Sequence, residues 1–208
     1  MDIHNFWVFA LTGLLLNLTP GNDMIYIASR STGQGIKAGV ISALGIMAGC
    51  FVHMIAAVVG LSALISQSAV AFEIIKYMGA VYLVYLGVRS LLSKKKSFLF
   101  PGAVSVLSYK KIFWQGVLTN VLNPKVALFF LAFLPQFINI HSDHTHWQIL
   151  FLGTWFNIVG TIINILVAFL FGKMSGWLSR SPGFVQWQER ITGMVLIGLG
   201  IKVGLDKP

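Results

Sequence analysis

The sequence predicts an all-α membrane protein, a six-transmembrane-helix bundle built from two inverted three-helix repeats with Pro-broken helices 1 and 4. Three observations predict it: a composition too apolar for water, six apolar stretches of bilayer length, and an internal repeat with an odd number of helices.

Hydrophobic residues make up 56% of the 208, charged residues only 10%, and mean hydropathy is +0.80. A soluble domain carries about 25% charge, so these few charges cannot cover a water-exposed surface. The net charge is +9, from 15 Lys+Arg against 6 Asp+Glu. On a soluble chain that excess would suggest nucleic acid; here basic residues mark the cytoplasmic side of a membrane protein. The single cysteine, Cys50, excludes an intrachain disulfide and a Cys-x-x-Cys relay. The N-terminus, Met1-Asp2-Ile3-His4-Asn5, lacks the positive segment of a signal peptide.

A spanning helix needs about 20 mostly apolar residues. The qualifying stretches are Phe6–Ser29, Ala38–Ile65, Ala69–Leu92, Ile112–Phe137, Trp147–Phe171 and Phe184–Val203. The last is the weakest, because Glu189 and Arg190 interrupt it. Basic residues fall in the first connection (Arg30, Lys37), the third (Lys94, Lys95, Lys96, Lys110, Lys111) and the fifth (Lys173, Arg180). The second and fourth, Ser66–Ser68 and Ile138–His146, have none. Odd connections therefore face the cytoplasm and both termini the periplasm. Lys202 and Lys207 argue the other way. Tyr and Trp near the span ends fit an interfacial belt.

The connection after the third span, residues 93–111, is a basic cytoplasmic linker that divides the chain into repeats 1–92 and 112–208. The first repeat opens with Gly13-Leu-Leu-Leu-Asn17-Leu-Thr19-Pro20, the second with Gly116-Val-Leu-Thr-Asn120-Val-Leu-Asn123-Pro124. Their third helices also align, Gly79 and Gly87 before Arg89 against Gly193 and Gly200 before Lys202. A three-helix unit in tandem enters the membrane from opposite sides. That is the inverted repeat of secondary transporters, with the solute site where the halves meet.

Proline inside a helix removes a donor and clashes with the preceding turn, and in lipid the freed groups need partners inside the protein or a wet cavity. Thr19-Pro20 and Asn123-Pro124 each read as a capping side chain followed by Pro at the first helical position. Each repeat should therefore contain a helix that restarts near mid-membrane, its positive end able to hold a carboxylate. Pro20, Gly21 and Pro124 are the hinge residues. Asp23 and Lys125 are the ionisable residues deepest in spans one and four, where a charge is costly and functional by default. Lys125, in a first helical turn, needs an anion nearby: Asp23 or a substrate carboxylate. Asp23 would take a substrate amine or a proton. Asn17, Thr19, Asn22, Asn120 and Asn123 complete the candidate binding set, with Asn17 and Asn120 also suited to bonds between the repeats.

His53 reads as an interhelical histidine, and Gly39, Gly45 and Gly49 as points of close helix approach. His141, Asp143, His144 and His146 could suit a metal, but on an exposed loop an incidental polar turn is favoured, so no metal or other cofactor is expected. Glu73 and Lys76 look like a helix-end ion pair. Cys50 reads as an inert buried thiol. No phosphate loop, nucleophile elbow or acid/base carboxylate pair is present, which excludes the usual enzyme classes.

On these motifs the chain resembles the LysE/RhtB family of bacterial amino-acid exporters. The carriers are Asn17-Leu-Thr-Pro20-Gly21-Asn22-Asp23, the Gly39/Gly45/Gly49 series, and Gly116-x3-Asn120-x2-Asn123-Pro124-Lys125. Family members usually read Pro-Gly-Pro-Asp at the first break; Asn22 replaces the second proline. The resemblance implies proton-coupled export of amino acids or their derivatives across the inner membrane. The implied partners are a small-molecule substrate, protons and membrane lipid, with homo-oligomerisation left open and no nucleic acid. The alternatives are a divalent-metal exporter using His53 and the outer histidines, or a non-transporting membrane subunit.

Overall fold

The structure is a computed structural model that describes residues 5–67, 69–92, 105–139, 142–178 and 182–205. Most of the basic linker, His141 and Lys207 lie outside them. Helices α1 (Phe6–Leu18), α2 (Asn22–Gln34), α3 (Ile36–Gln67) and α4 (Ala69–Leu91) form the first half of the chain. Helices α5 (Tyr109–Val121), α6 (Pro124–Leu128), α7 (Thr145–Leu178) and α8 (Pro182–Leu205) form the second. No strand occurs among the described residues.

Two described helices are long and apolar enough to cross a bilayer alone, Ile36–Gly60 at mean hydropathy 2.1 and Thr145–Lys173 at 1.9. Tyr109–Val121 with Pro124–Phe137, bent by 47°, makes a third if the pair is one span. The first predicted span is not continuous: α1 is apolar but only 13 residues long, and α2 begins after a break. Large apolar side chains stand exposed at helical spacing. On α1 they are Trp7, Leu11, Leu14 and Leu18; on α7, Ile158, Ile162, Leu166 and Leu170. Such stripes suit a lipid solvent and would be a liability in water.

Helix α6 runs into a π-helical turn, Phe129–Phe133, and a 3-10 turn, Leu134–Phe137. Pro135 explains the loss of regular helix, since it has no N–H to give and crowds the carbonyl four residues back. Gln136 donates from its side chain to the Ala132 carbonyl at 2.7 Å. The turn stacks phenylalanines into a plug. Phe129 lies 4.0 Å from Phe156 of α7 between ring centroids, Phe133 4.8 Å from Phe137, and Phe137 5.3 Å from Phe9 of α1.

Glycines set the closest helix approaches. A Cβ at Gly49 of α3 would lie 2.7 Å from the Val117 carbonyl of α5, so the two backbones touch. A Cβ at Gly87 of α4 would lie 2.6 Å from the Gly193 carbonyl of α8, and one at Gly193 would lie 2.7 Å from the Gly87 carbonyl. Gly200 stands in the same way 2.7 Å from the Ala80 carbonyl. As α4 runs from 80 to 87, α8 runs from 200 back to 193, so the two helices are antiparallel.

Candidate functional site

The site is made by two helix breaks. Residues before a proline are pushed out of the helical region, and both comply: Thr19 at φ −65°, ψ 123° and Asn123 at φ −81°, ψ 106°. At the second break the expected cap forms. Asn123 Oδ1 accepts from the Lys125 backbone N–H at 3.1 Å, with Pro124 at the first helical position.

The first break differs from expectation. Thr19 is the C-cap of α1, its hydroxyl donating back to the Leu15 carbonyl at 2.9 Å. Pro20 lies between the helices, and α2 starts from extended Gly21 without a side-chain cap. The hydroxyl finds a carbonyl four residues back before it can reach forward across the break. The uncapped start of α2 thus keeps its positive end available.

Asp23 occupies the first turn of α2, where that end favours a carboxylate. Its Oδ2 accepts from Asn120 Nδ2 of α5 at 2.9 Å, while Oδ1 is buried with no partner. Asn120 is held from behind: His53 Nε2 of α3 bonds its backbone carbonyl at 2.9 Å. Asn120 Oδ1 and Asn123 Nδ2 are also buried and unpartnered. The Asn123 amide lies beside the Asp23 carboxylate without closing a bond on it, and polar atoms left so are costly unless something else meets them.

Lys125 does not pair with Asp23. Its ammonium donates to the carbonyls of Leu16 and Thr19, each at 3.2 Å. Asp23, the expected anion, lies near enough to attract the ammonium, while the bonds themselves go to the carbonyl end of α1, whose partial negative charge suits a cation. This bond ties the start of α6 to the end of α1. Asn17 likewise donates to the Phe156 carbonyl of α7 at 3.3 Å, a bond between the two halves of the chain.

Two cavities meet at the breaks. The larger, about 250 Å³, is lined by Thr19, Pro20, Gly21 and Asn22 on one side and Asn123, Pro124 and Lys125 on the other. Tyr82, Leu86, Arg89 and Ser90 of α4 continue it toward the basic end of that helix. The smaller, about 30 Å³, contains Asp23, Asn17 and Asn120 and reaches Cys50, Phe156, Asn157, Thr161 and Asn164. Thr19 and Lys125 line both.

All ten residues singled out in the two broken helices thus gather around the breaks. Asn157, Thr161 and Asn164 were not anticipated. They lie four and three residues apart on the otherwise apolar α7, which places them on one face, and that polar spacing is the signal. Asn157 Nδ2 donates to the Met47 carbonyl at 3.2 Å and Thr161 to the Asn157 carbonyl at 2.7 Å. Asp143, His144 and His146 of the fourth connection are exposed. Among the described residues no group of three His, Cys, Asp or Glu could hold a metal.

Comparison with known proteins identifies the family. The family model of the LysE type translocators matches residues 14–207. A leucine efflux protein of Salmonella typhimurium is 32% identical over 96% of this chain and 94% of its own. The uncharacterized membrane protein YrhP of Bacillus subtilis is 31% identical over 98% of this chain and all of its own. A further uncharacterized membrane protein, from Vibrio cholerae, is 31% identical over the full length of both chains. No solved structure matches. With the family model covering nearly the whole length, the chain belongs to the LysE type translocators, membrane transporters rather than enzymes.

Proposed function

We propose that this protein exports amino acids or amino-acid derivatives across the bacterial inner membrane in exchange for protons. Six spans in two inverted repeats, 1–92 and 112–208, would alternate access to the pocket at the breaks. The linker 93–111 would lie in the cytoplasm and both termini in the periplasm. Relatives named as leucine efflux proteins favour a neutral aliphatic substrate.

The observation that carries the reading is the set of unpartnered buried polar atoms, Asp23 Oδ1, Asn120 Oδ1 and Asn123 Nδ2, beside a buried carboxylate and an ammonium. A zwitterion offers complementary groups: its amine suits Asp23, its carboxylate suits Lys125 and the uncapped start of α2. Asp23 serves alternatively as the proton carrier. The antiparallel meeting of Ala80–Gly87 with Gly193–Gly200 supports the inverted repeat. So does the way each broken-helix Asn meets a glycine of the other half, Asn17 at Gly160 and Asn120 at Gly49. The phenylalanine plug beyond the pocket and the cavity running to Arg89 support a path open toward the cytoplasm.

The test is release of labelled amino acids from cells making the protein, with and without a pH gradient. Faster release of one or more amino acids, abolished when the gradient collapses, is expected. Release no faster than in cells lacking the protein would refute the reading.

A further inference from the structure

The two cavities share a wall. Among the described residues only Thr19 and Lys125 line both, and the Lys125 ammonium is fastened across the break to the Leu16 and Thr19 carbonyls. The outer cavity is rich in donors: the Arg89 guanidinium, the Lys125 ammonium, and Asn123 Nδ2, which is buried, unpartnered and 3% exposed as a residue. Among the described residues no acidic residue lines it. The inner cavity contains the carboxylate of Asp23 and, at about 30 Å³, has room for roughly one water. A solute of amino-acid size fits the outer chamber and not the inner one as they stand.

We propose that the outer cavity is a separate docking subsite for the carboxylate end of the solute, with Arg89 as its outer cation, and that the Lys125 side chain is the partition closing it from the Asp23 pocket. This rests on the transport reading above. A carboxylate arriving at Asn123 and Lys125 competes with the α1 carbonyls for the ammonium, a stronger partner than a neutral carbonyl. Release of Lys125 from Leu16 and Thr19 both opens the inner pocket and unties α6 from α1. Docking of the correct solute is thereby coupled to movement of the halves. Arg89 is a positioning residue for approach, and Lys125 for opening.

The protein contains its own reporter. Cys50 is the single cysteine, is 4% exposed and lines the inner cavity only. Its modification by small methanethiosulfonates, one anionic and one neutral, is followed by mass spectrometry on protein purified into nanodiscs. No transport is needed, so loss of labelling control and loss of export are distinguishable failures.

Wild-type Cys50 should react slowly. Lys125→Ala should speed labelling by about tenfold, the factor that one charge-assisted hydrogen bond is worth. Lys125→Arg, which keeps donors for both carbonyls, should stay as slow as wild type. Should Lys125→Ala not purify as a folded species, Lys125→Val, which has no donor and is too short to span the break, takes its place with the same expectation. Adding Arg89→Gln to the open variant should slow the anionic reagent by about tenfold and leave the neutral one unchanged, as loss of steering charge predicts. Equal labelling of wild type and the open variant would overturn the partition. An Arg89 effect that is absent, or equal for both reagents, would overturn the docking subsite.

Discussion

Asp23→Asn separates what the carboxylate does for the fold from what it does for transport. The substitution keeps volume and shape and removes one charge. In the structure Oδ2 accepts a 2.9 Å bond from Asn120 and Oδ1 is buried with no partner. Neutralising the acceptor weakens that bond by about 1 kcal/mol. Loss of attraction to the start of α2 costs roughly another 0.3–1 kcal/mol. Against this, an unsatisfied buried oxygen of a charged group carries a penalty of about 1–3 kcal/mol that the amide largely relieves. The terms oppose each other and leave a net change within about 1 kcal/mol. For a chain of this size that is a shift of about 2–4 °C in Tm. Thermal unfolding of purified variant and wild type, followed by tryptophan fluorescence, measures the first part; efflux of labelled amino acid from cells measures the second. The expected pair is near-unchanged Tm and abolished export. Wild-type export would remove Asp23 from the mechanism, and a drop in Tm of more than about 8 °C would make it a structural ion instead.

Four further perturbations follow from the packing. Gly49→Ala places a Cβ 2.7 Å from the Val117 carbonyl and 2.9 Å from the Asn120 Cβ. It should cost about 1–3 kcal/mol and displace Asp23's partner, lowering both Tm and export. Gly60→Ala meets nothing within 4 Å and should raise stability by up to about 1 kcal/mol, read as a higher Tm in the same detergent. Phe156→Ala removes the ring stacked 4.0 Å from Phe129 and should cost about 3–5 kcal/mol, seen as the largest Tm loss of the set. Gln34 both donates to the Leu107 carbonyl at 3.0 Å and accepts its N–H at 3.1 Å. Gln34→Ala should therefore free the segment leading to α5 and speed tryptic cleavage at Lys110 and Lys111, measured by gel.

Composition and proline placement made the helical, lipid-facing character and both breaks legible in the sequence. Pro20 and Pro124 announce local geometry by their own chemistry, whatever they pack against. Asn123 behaves as its dipeptide predicts for the same reason. Thr19 does not, because its hydroxyl had two local choices and the carbonyl behind it was nearer. The hydrogen-bond partners of Lys125 were illegible: a cation one turn into a helix demands negative charge, and Asp23 lies near enough to attract it, but only tertiary packing brings α1's carbonyl end into bonding reach. Asn157, Thr161 and Asn164 were readable as a polar face, yet single polar residues in an apolar helix look like solvated positions until a cavity is placed beside them. The π-helical turn follows from Pro135, whose effect within a long apolar run depends on the phenylalanines that stack around it.

The central claim is that solute crosses at the two breaks and that the Asp23 carboxylate is indispensable there. Proteoliposomes containing only this chain, with an imposed pH gradient and a labelled neutral aliphatic amino acid, measure that directly. Gradient-driven flux in the wild type and none in Asp23→Asn is the predicted result. Flux through Asp23→Asn at the wild-type rate, or none through either protein, would contradict it.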